Sequence, residues 1–157
     1  MRCLLKSGDV KQVIGFAQNA RQPEVYVLAG NFLQNQNWHN DPEVMKTIIS
    51  FYQKAKAFES LANFYDACAQ VEIDEYRDYE KALGAMKEAQ RQLDKSAAQN
   101  KEMKQRMMAA RIDTIEKFVR AREVFAAGDT NQMVQICDAL INTPGVEEAI
   151  RLGDVFA

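Results

Sequence analysis

The chain has few of the residues from which metal sites and disulfide frameworks are built. Its 157 residues include one His and three Cys, and Cys3, Cys68 and Cys137 lie far apart in apolar runs. A structural zinc site needs about four Cys or His ligands, and a disulfide framework needs paired cysteines in a small secreted chain. The sequence therefore excludes both, and we expect reduced thiols in a cytoplasmic, reducing compartment.

Catalytic motifs are also missing. The sequence contains no Gly-rich phosphate loop, no zinc-protease helix motif and no nucleophile elbow. The single histidine, His39, follows Trp38 in a polar segment that is typical of a surface turn. A Cys–His dyad would need Cys68 or Cys137 to reach it from helix faces that we expect to be buried, where a thiol is inert. We therefore predict a protein that is not an enzyme and that binds no metal or cofactor.

Long apolar runs and an excess of one charge are lacking too. A membrane-spanning helix needs about 18 or more apolar residues, and no run in this sequence approaches that length. The 20 Lys and Arg against 22 Asp and Glu give a net charge of −2. The positive excess typical of nucleic-acid binding is thus absent. We expect neither a membrane span nor a nucleic-acid partner.

Glycine and proline are sparse, with 7 Gly and 3 Pro, and they are spaced like boundaries between helices. The clearest helix start is Asp41-Pro42-Glu43, because Asp caps the first turn, Pro needs no N–H there and Glu faces the positive helix end. Apolar residues recur at helical spacing, whereas strands have no comparable pattern. We predict an all-α fold of about eight helices, over residues 10–20, 24–36, 42–55, 57–72, 76–94, 102–127, 129–142 and 146–157.

A large-x-x-small-small-x-x-large frame over residues 26–33 recurs 32 residues later over 58–65 and begins again at 152–156. A second pattern, with spacings of four and three, occurs as Val13/Ala17/Ala20, Ile48/Tyr52/Ala55, Ala82/Met86/Ala89 and Met133/Cys137/Leu140. These are the two helix patterns of a tetratricopeptide (TPR) repeat, in which a small residue lets the second helix approach closely. The fold prediction is therefore a TPR-like solenoid of helical hairpins.

The repeats are degenerate, and we interpret residues 1–157 as one segment of the solenoid. The turns inside the hairpins are longer than usual, and the frame at Phe118, Ala121 and Phe125 is one residue out of phase. Residues 94–102 lack an apolar period. They are either a hinge or a solvated helix turn, where we expect two long helices to meet.

The near-neutral total hides two segments of opposite charge. Residues 66–80 carry six acids and one base, a net charge of −5, and residues 95–122 carry eight bases and three acids, a net charge of +5. The candidate partner residues are Asp66, Glu72, Asp74, Glu75, Lys101, Lys104, Arg106, Arg111, Arg120 and Arg122. Because apolar residues from Met108 to Phe125 form a stripe wide enough to be core, three interpretations stay open: a solvated face partly paired with the acids, a protein-partner surface, or a lipid or nucleic-acid surface.

A peptide-binding groove is a second candidate site. Asn31 and Asn63 occupy equivalent positions after the small residue of each frame. A carboxylate-binding TPR domain uses Asn together with Lys and Arg, but Val27 and Glu59 stand where a lysine is needed. A carboxylate clamp is not expected. The asparagines either hydrogen-bond between stacked helices or face an open groove.

Five blocks, at residues 1–9, 49–52, 64–76, 79–85 and 150–155, resemble the C-terminal TPR segment of a ciliary family, the one-hundred-and-forty-kilodalton subunits of intraflagellar transport complex A. The resemblance implies a scaffold segment that contacts other complex A subunits or ciliary membrane cargo adaptors. It also implies a role in retrograde transport and membrane-protein entry at the cilium or flagellum and the basal body. No catalytic residue or cofactor is implied. The alternative is a stand-alone TPR adaptor that binds peptides.

In this family WD-repeat propellers precede the TPR solenoid, so the resemblance implies that the chain is an excised piece. An uncapped solenoid exposes core residues at its ends. We expect exposed apolar residues at Leu4, Leu5, Ile150, Leu152 and Phe156, and self-association of the fragment through them.

Overall fold

The structure is a computed structural model that describes residues 9–97 and 99–156, and those residues form helices joined by turns, without a strand. The helices are α1 Val10–Ala20, α2 Pro23–Gln34, α3 Pro42–Ala55, α4 Phe58–Val71, α5 Tyr79–Lys95, α6 Lys101–Ala126, α7 Thr130–Ile141, α8 Val146–Ala149 and α9 Leu152–Phe156. A 3₁₀ turn, Trp38–Asn40, lies between α2 and α3, and a π-helical turn, Glu72–Tyr76, follows α4.

The long helices pack as consecutive pairs. Helix α2 packs against α3, α4 against α5 and α6 against α7, while α3 contacts α4 and α5 contacts α6. One core cluster joins α1 to α4, and a second joins α4 to α8, so α4 contributes to both. Overlapping cores between neighbouring units are what a repeat solenoid requires. The predicted all-α, TPR-like solenoid of helical hairpins is confirmed.

The second helix of every pair begins with the same cap, and so does α1. A side-chain oxygen of the aspartate just before the helix accepts a hydrogen bond from the N–H three residues on. The four aspartates are Asp9, Asp41, Asp78 and Asp129. An aspartate cap satisfies an otherwise unpaired N–H group and places negative charge at the positive helix end. The first helices, α2, α4 and α6, have no side-chain cap.

Gly30 explains how closely the first pair is packed. A Cβ atom at this position would lie 2.7 Å from Cε1 of Tyr52, a fully buried residue of α3. Any larger residue would therefore overlap the Tyr52 ring. The small residue of the frame does what the sequence pattern predicted, since it allows the second helix to approach.

Three local predictions are wrong. The helix expected over 146–157 is divided at Ile150, whose extended backbone (φ −135°, ψ 155°) separates α8 from α9. The helix expected to begin at residue 76 begins at Tyr79, because the π-helical turn comes first. Phe125, assigned to the core stripe of α6, is 62% exposed. Helix α6 is longer than the core it covers, which leaves its last turn in solvent.

The expected exposure at the solenoid ends does not hold at Ile150, which is 0% exposed and packs in the second core cluster. The extended backbone at this position turns its side chain into the core. Leu4 and Leu5 lie outside the described residues, as do the side chains of Leu152 and Phe156.

Candidate functional site

The basic helix α6 is joined to α4 by two sets of polar contacts. Arg111 Nη1 lies 2.7 Å from Oδ1 of Asp66, and Nη2 of the same guanidinium donates to Oε1 of Gln70 at 3.3 Å. Two turns nearer the start of α6, Lys104 pairs with Glu59. Residues seven apart lie on one helix face, so both pairs join the same two faces. The charges of Lys104 and Arg111 therefore connect neighbouring units of the solenoid.

The acidic segment is joined in the same way to the C-terminal end of the described chain. Arg151 Nε donates to Oδ1 of Asp74 at 2.7 Å, and Arg77 Nη1 lies 3.3 Å from Oδ2 of Asp154. The Tyr79 hydroxyl donates to Asp154 and accepts from the Arg151 backbone N–H at 3.1 Å. We call these five residues the C-terminal latch, because they hold α8 and α9 against the start of α5.

Electrostatics keep the latch in one protonation state near neutral pH. A hydrogen bond from Gln70, followed by the contacts with Arg151, lowers the pKa of Asp74. Burial, followed by the hydrogen bond to Asp154, raises the pKa of Tyr79. Asp74 therefore stays ionised and Tyr79 stays a hydroxyl donor.

Three other candidate partner residues either form local contacts or are partly buried. Lys101 donates to the backbone carbonyl of Asp94, across the break between α5 and α6. Glu75 Oε1 lies 3.6 Å from Nε2 of His39. Glu72 points one carboxylate oxygen, Oε2, into a buried position without a hydrogen-bond partner among the described residues.

The arginines at positions 106, 120 and 122 are the exposed candidates that form no ion pair within residues 9–97 and 99–156. Arg106 and Arg120 lie about four turns apart and so share one side of α6. Met103 and Met107 flank Arg106 and are 60% and 55% exposed. We call Met103, Arg106, Met107 and Arg120 the α6 surface. It combines cations with flexible apolar side chains, which suits protein contacts.

The two asparagines of the predicted groove differ. Asn31 Oδ1 accepts from the Tyr52 hydroxyl at 2.8 Å, and the same hydroxyl accepts from Gln34 Nε2 at 2.8 Å. Burial raises the pKa of Tyr52 to about 12, so this donor keeps its proton. The residue of the next unit that corresponds to Tyr52 is Met86, which has no hydroxyl, and Asn63 is exposed. Asn31 thus joins α2 to α3, and the groove at Asn63 stays a prediction.

Comparison with known families gives two matches. A sequence model of the C-terminal TPR domain of the one-hundred-and-forty-kilodalton intraflagellar transport subunit matches residues 59–157. A model of the TPR domain that this subunit shares with the one-hundred-and-seventy-two-kilodalton subunit matches residues 1–51. The first match covers more than half of the chain. The chain belongs to the family of that C-terminal TPR domain.

The resemblance inferred from the residue blocks is thereby confirmed. Both matching families take their names from intraflagellar transport. The chain is thus a helical scaffold associated with intraflagellar transport and a cilium-related function.

TPR families such as this C-terminal domain are generally non-catalytic scaffolds for protein–protein interaction. Burial, followed by the nearby Glu72 charge, raises the pKa of the Cys68 thiol to about 12, and burial raises the pKa of Cys137, so neither is a ready nucleophile. His39 is half-buried beside the Trp38 ring rather than fully exposed. Among the described residues no three His, Cys, Asp or Glu side chains group as a metal site. Nor does any described helix have the length and apolar character needed to cross a membrane.

Sequence reasoning missed the C-terminal latch. Its contacts join residues 72 to 77 positions apart, such as Tyr79 and Arg151. Charge patterns along one helix report neighbours three and four residues away, and they contain no information on such distant pairs. The only available signal was Tyr79 itself, an aromatic residue just after the Asp78 cap whose hydroxyl would need a partner once buried.

Proposed function

We propose that the chain is a non-enzymatic scaffold segment of intraflagellar transport complex A. In this role it mediates subunit assembly for retrograde ciliary transport and for entry of membrane proteins into the cilium. The match of the family's C-terminal TPR domain over residues 59–157 carries the proposal. Its partners are other complex A subunits and adaptors of ciliary membrane cargo. It acts at the cilium or flagellum and the basal body, in the reducing cytoplasm.

The same proposal treats the chain as part of a longer protein in which WD-repeat propellers precede the solenoid. A hinge near residues 94–102 then lets the two parts of the solenoid adjust to their partners. The break between α5, which ends at Lys95, and α6, which begins at Lys101, falls within this range.

The α6 surface is where this scaffold meets a subunit. Among the cationic candidates, Lys104 and Arg111 already pair with α4, and Lys101 donates to the carbonyl of Asp94 in α5. Arg106 and Arg120 are exposed beside two exposed methionines. Arginine and methionine are enriched in protein interfaces. An acidic, partly apolar surface of another complex A subunit therefore fits this side of α6.

The proposal is tested by co-precipitation of complex A subunits with the tagged chain from ciliated cells. The informative variant reverses two charges of the α6 surface, as Arg106→Glu with Arg120→Glu. The matched control reverses two exposed lysines elsewhere, as Lys11→Glu with Lys46→Glu. Both variants change the net charge equally, and neither removes an inter-helical ion pair.

We expect the α6 variant to lose subunits that the control retains. If the unmodified chain brings down no complex A subunit, the proposed function is wrong. If both variants behave like the unmodified chain, the assembly contact lies elsewhere on the solenoid.

A further inference from the structure

A groove lies beside the C-terminal end of α6 and is lined by residues other than those of the α6 surface. It has a volume of about 640 Å³ and lies between the last turns of α6, the start of α7, the start of α5 and α9. We call it the C-terminal groove. Its volume is in the range of pockets that hold ligands, roughly 300–1,000 Å³. The described residues therefore leave room for several side chains of a binding partner.

The walls of the C-terminal groove are largely apolar. Phe118 and Tyr79 are buried and pack edge to face, with ring centroids 4.7 Å apart. Phe125 and Met133 extend the apolar wall, and Phe125 is exposed. An exposed phenylalanine beside a concave apolar wall is unfavourable in water and gains free energy when it is covered.

The charges of the groove are not balanced. Arg77 and Asp154 both line it, but they pair with each other, and Asp154 also accepts from Tyr79. Arg122 lines it as well and forms no ion pair with a described residue. The charge of Arg122 acts on Asp78, but the pKa of Asp78 is lowered mainly by its hydrogen bonds with Lys81 and only slightly by Arg122. The guanidinium of Arg122 is thus available to a carboxylate.

We infer that the C-terminal groove binds a segment of a partner protein in which a large apolar side chain stands next to acidic residues. This inference rests on the proposed scaffold function, since it names the chemistry of one partner. The apolar side chain covers Phe125 and packs on Phe118, while a neighbouring carboxylate accepts two hydrogen bonds from Arg122. Guanidinium groups bind carboxylates through two parallel N–H donors.

Other occupants fit the charges and shape less well. A nucleic acid needs several cations along a track, whereas this groove offers one unpaired arginine among the described residues and contains the carboxylate of Asp154. A second copy of the chain is the other macromolecule to consider as an occupant of the groove. Its π-helical turn presents the exposed Tyr76 among acidic residues, which is the combination that the groove would bind. In this chain, however, Asp74 of that turn is already held by Arg151.

The test uses the 157-residue chain and a fluorescein-labelled peptide of about ten residues that contains Phe and Leu between Asp and Glu residues. Fluorescence anisotropy measures its binding at low ionic strength. One control peptide replaces Phe and Leu by Ser, and another replaces the acids by Lys. We expect saturable binding of the acidic apolar peptide, at least about tenfold tighter than that of either control, which is the effect of losing one interface anchor.

Protein variants locate the site. Arg122→Glu and Phe125→Ser should each weaken binding about tenfold or more, and Arg122→Lys should fall between, because lysine is a point charge without the paired donors. Arg106→Glu is the matched control, an exposed arginine of the same helix outside the groove, and it should bind normally. Since Arg122 and Phe125 are exposed, thermal unfolding of these variants should match that of the unmodified chain.

The inference is overturned if the unmodified chain shows no saturable binding, if Arg106→Glu weakens binding as much as Arg122→Glu, or if either control peptide binds as tightly as the acidic apolar peptide. It is also overturned, in favour of a second copy, if sedimentation shows a dimer that Phe125→Ser abolishes while the peptide does not bind. Co-precipitation of complex A subunits by the chain with normal dependence on Arg106 would leave the scaffold function standing in each of these cases. If the chain binds the peptide but co-precipitates no complex A subunit, the peptide-binding groove stands and the proposed scaffold function is wrong.

Discussion

At the residue scale, a glycine of α2 packs closely against an aromatic ring of α3. Gly30→Ala would place a methyl group 2.7 Å from Cε1 of Tyr52, whose ring is fixed by burial and by its hydrogen bonds to Asn31 and Gln34. We expect a loss of stability of about 1–3 kcal/mol from overpacking, larger than the gain of about 1 kcal/mol in helix propensity. Urea unfolding measures the difference.

Gly84 provides the control for this substitution. It lies in the interior of α5, and a Cβ atom there has no heavy atom within 4 Å. Gly84→Ala should therefore raise the unfolding free energy by about 0.5–1 kcal/mol through propensity alone. If both alanine variants are stabilised, the Tyr52 ring moves aside, and the packing role assigned to Gly30 is wrong.

The C-terminal latch depends at the same scale on one hydroxyl. Tyr79→Phe removes the donor to Asp154 and the acceptor of the Arg151 N–H while keeping the buried ring. We expect a loss of about 1 kcal/mol or more, because both partners lose a hydrogen bond in a partly buried place. Hydrogen exchange at the Arg151 amide should accelerate. The exposed Tyr76→Phe serves as the control and should change neither quantity.

At the element scale, we expect the attachment of α8 and α9 to depend on pH. The pKa of Asp74 is lowered from its ordinary 3.8 by Gln70 and then by Arg151, so the stabilisation is complete above pH 3.8 and is lost as the pH falls through the lower, folded-state value. Relative to the intrinsic exchange rate at each pH, the amides of α8 should therefore lose protection on strong acidification. Asp74→Asn should lack this part of the pH dependence, and a profile identical to that of the unmodified chain would show that Asp74 does not hold the latch.

The elements were predictable to different degrees from the sequence. The aspartate caps and Pro42 fixed the starts of α1 and α3 at Val10 and Pro42, as expected, because these signals are local. The π-helical turn and the division at Ile150 were not predictable, since they result from contacts with residues far along the chain. In the proposed α6 surface, counting charges along the sequence selected Arg106 and Arg120 as candidates. It could not tell them from Arg111, because exposure depends on the packing of α4 against α6.

At the scale of the whole molecule, ion pairs between α4 and α6 connect one repeat unit to the next. Arg111→Glu would place a second negative charge next to that of Asp66, at a position where the Arg111 side chain is only 19% exposed. We expect a loss of more than about 1 kcal/mol, above what an exposed pair contributes. Arg106→Glu on the same helix should stay within about 0.5 kcal/mol of the unmodified chain, as exposed substitutions do. Thermal unfolding of both variants checks this, and equal melting temperatures would mean that the Arg111 contact adds nothing to the solenoid.

The four aspartate caps have a consequence for how this solenoid tolerates change in length. The turn before the second helix runs from residue 35 to 41 in the first pair, 72 to 78 in the next and 127 to 129 in the last, yet each ends on the capping aspartate. Closing a longer flexible turn costs little, about 0.6 kcal/mol for each doubling of its length. Because each second helix starts directly after its capping aspartate, residues can be gained or lost in the turn before the aspartate while the packing face of the helix stays in place.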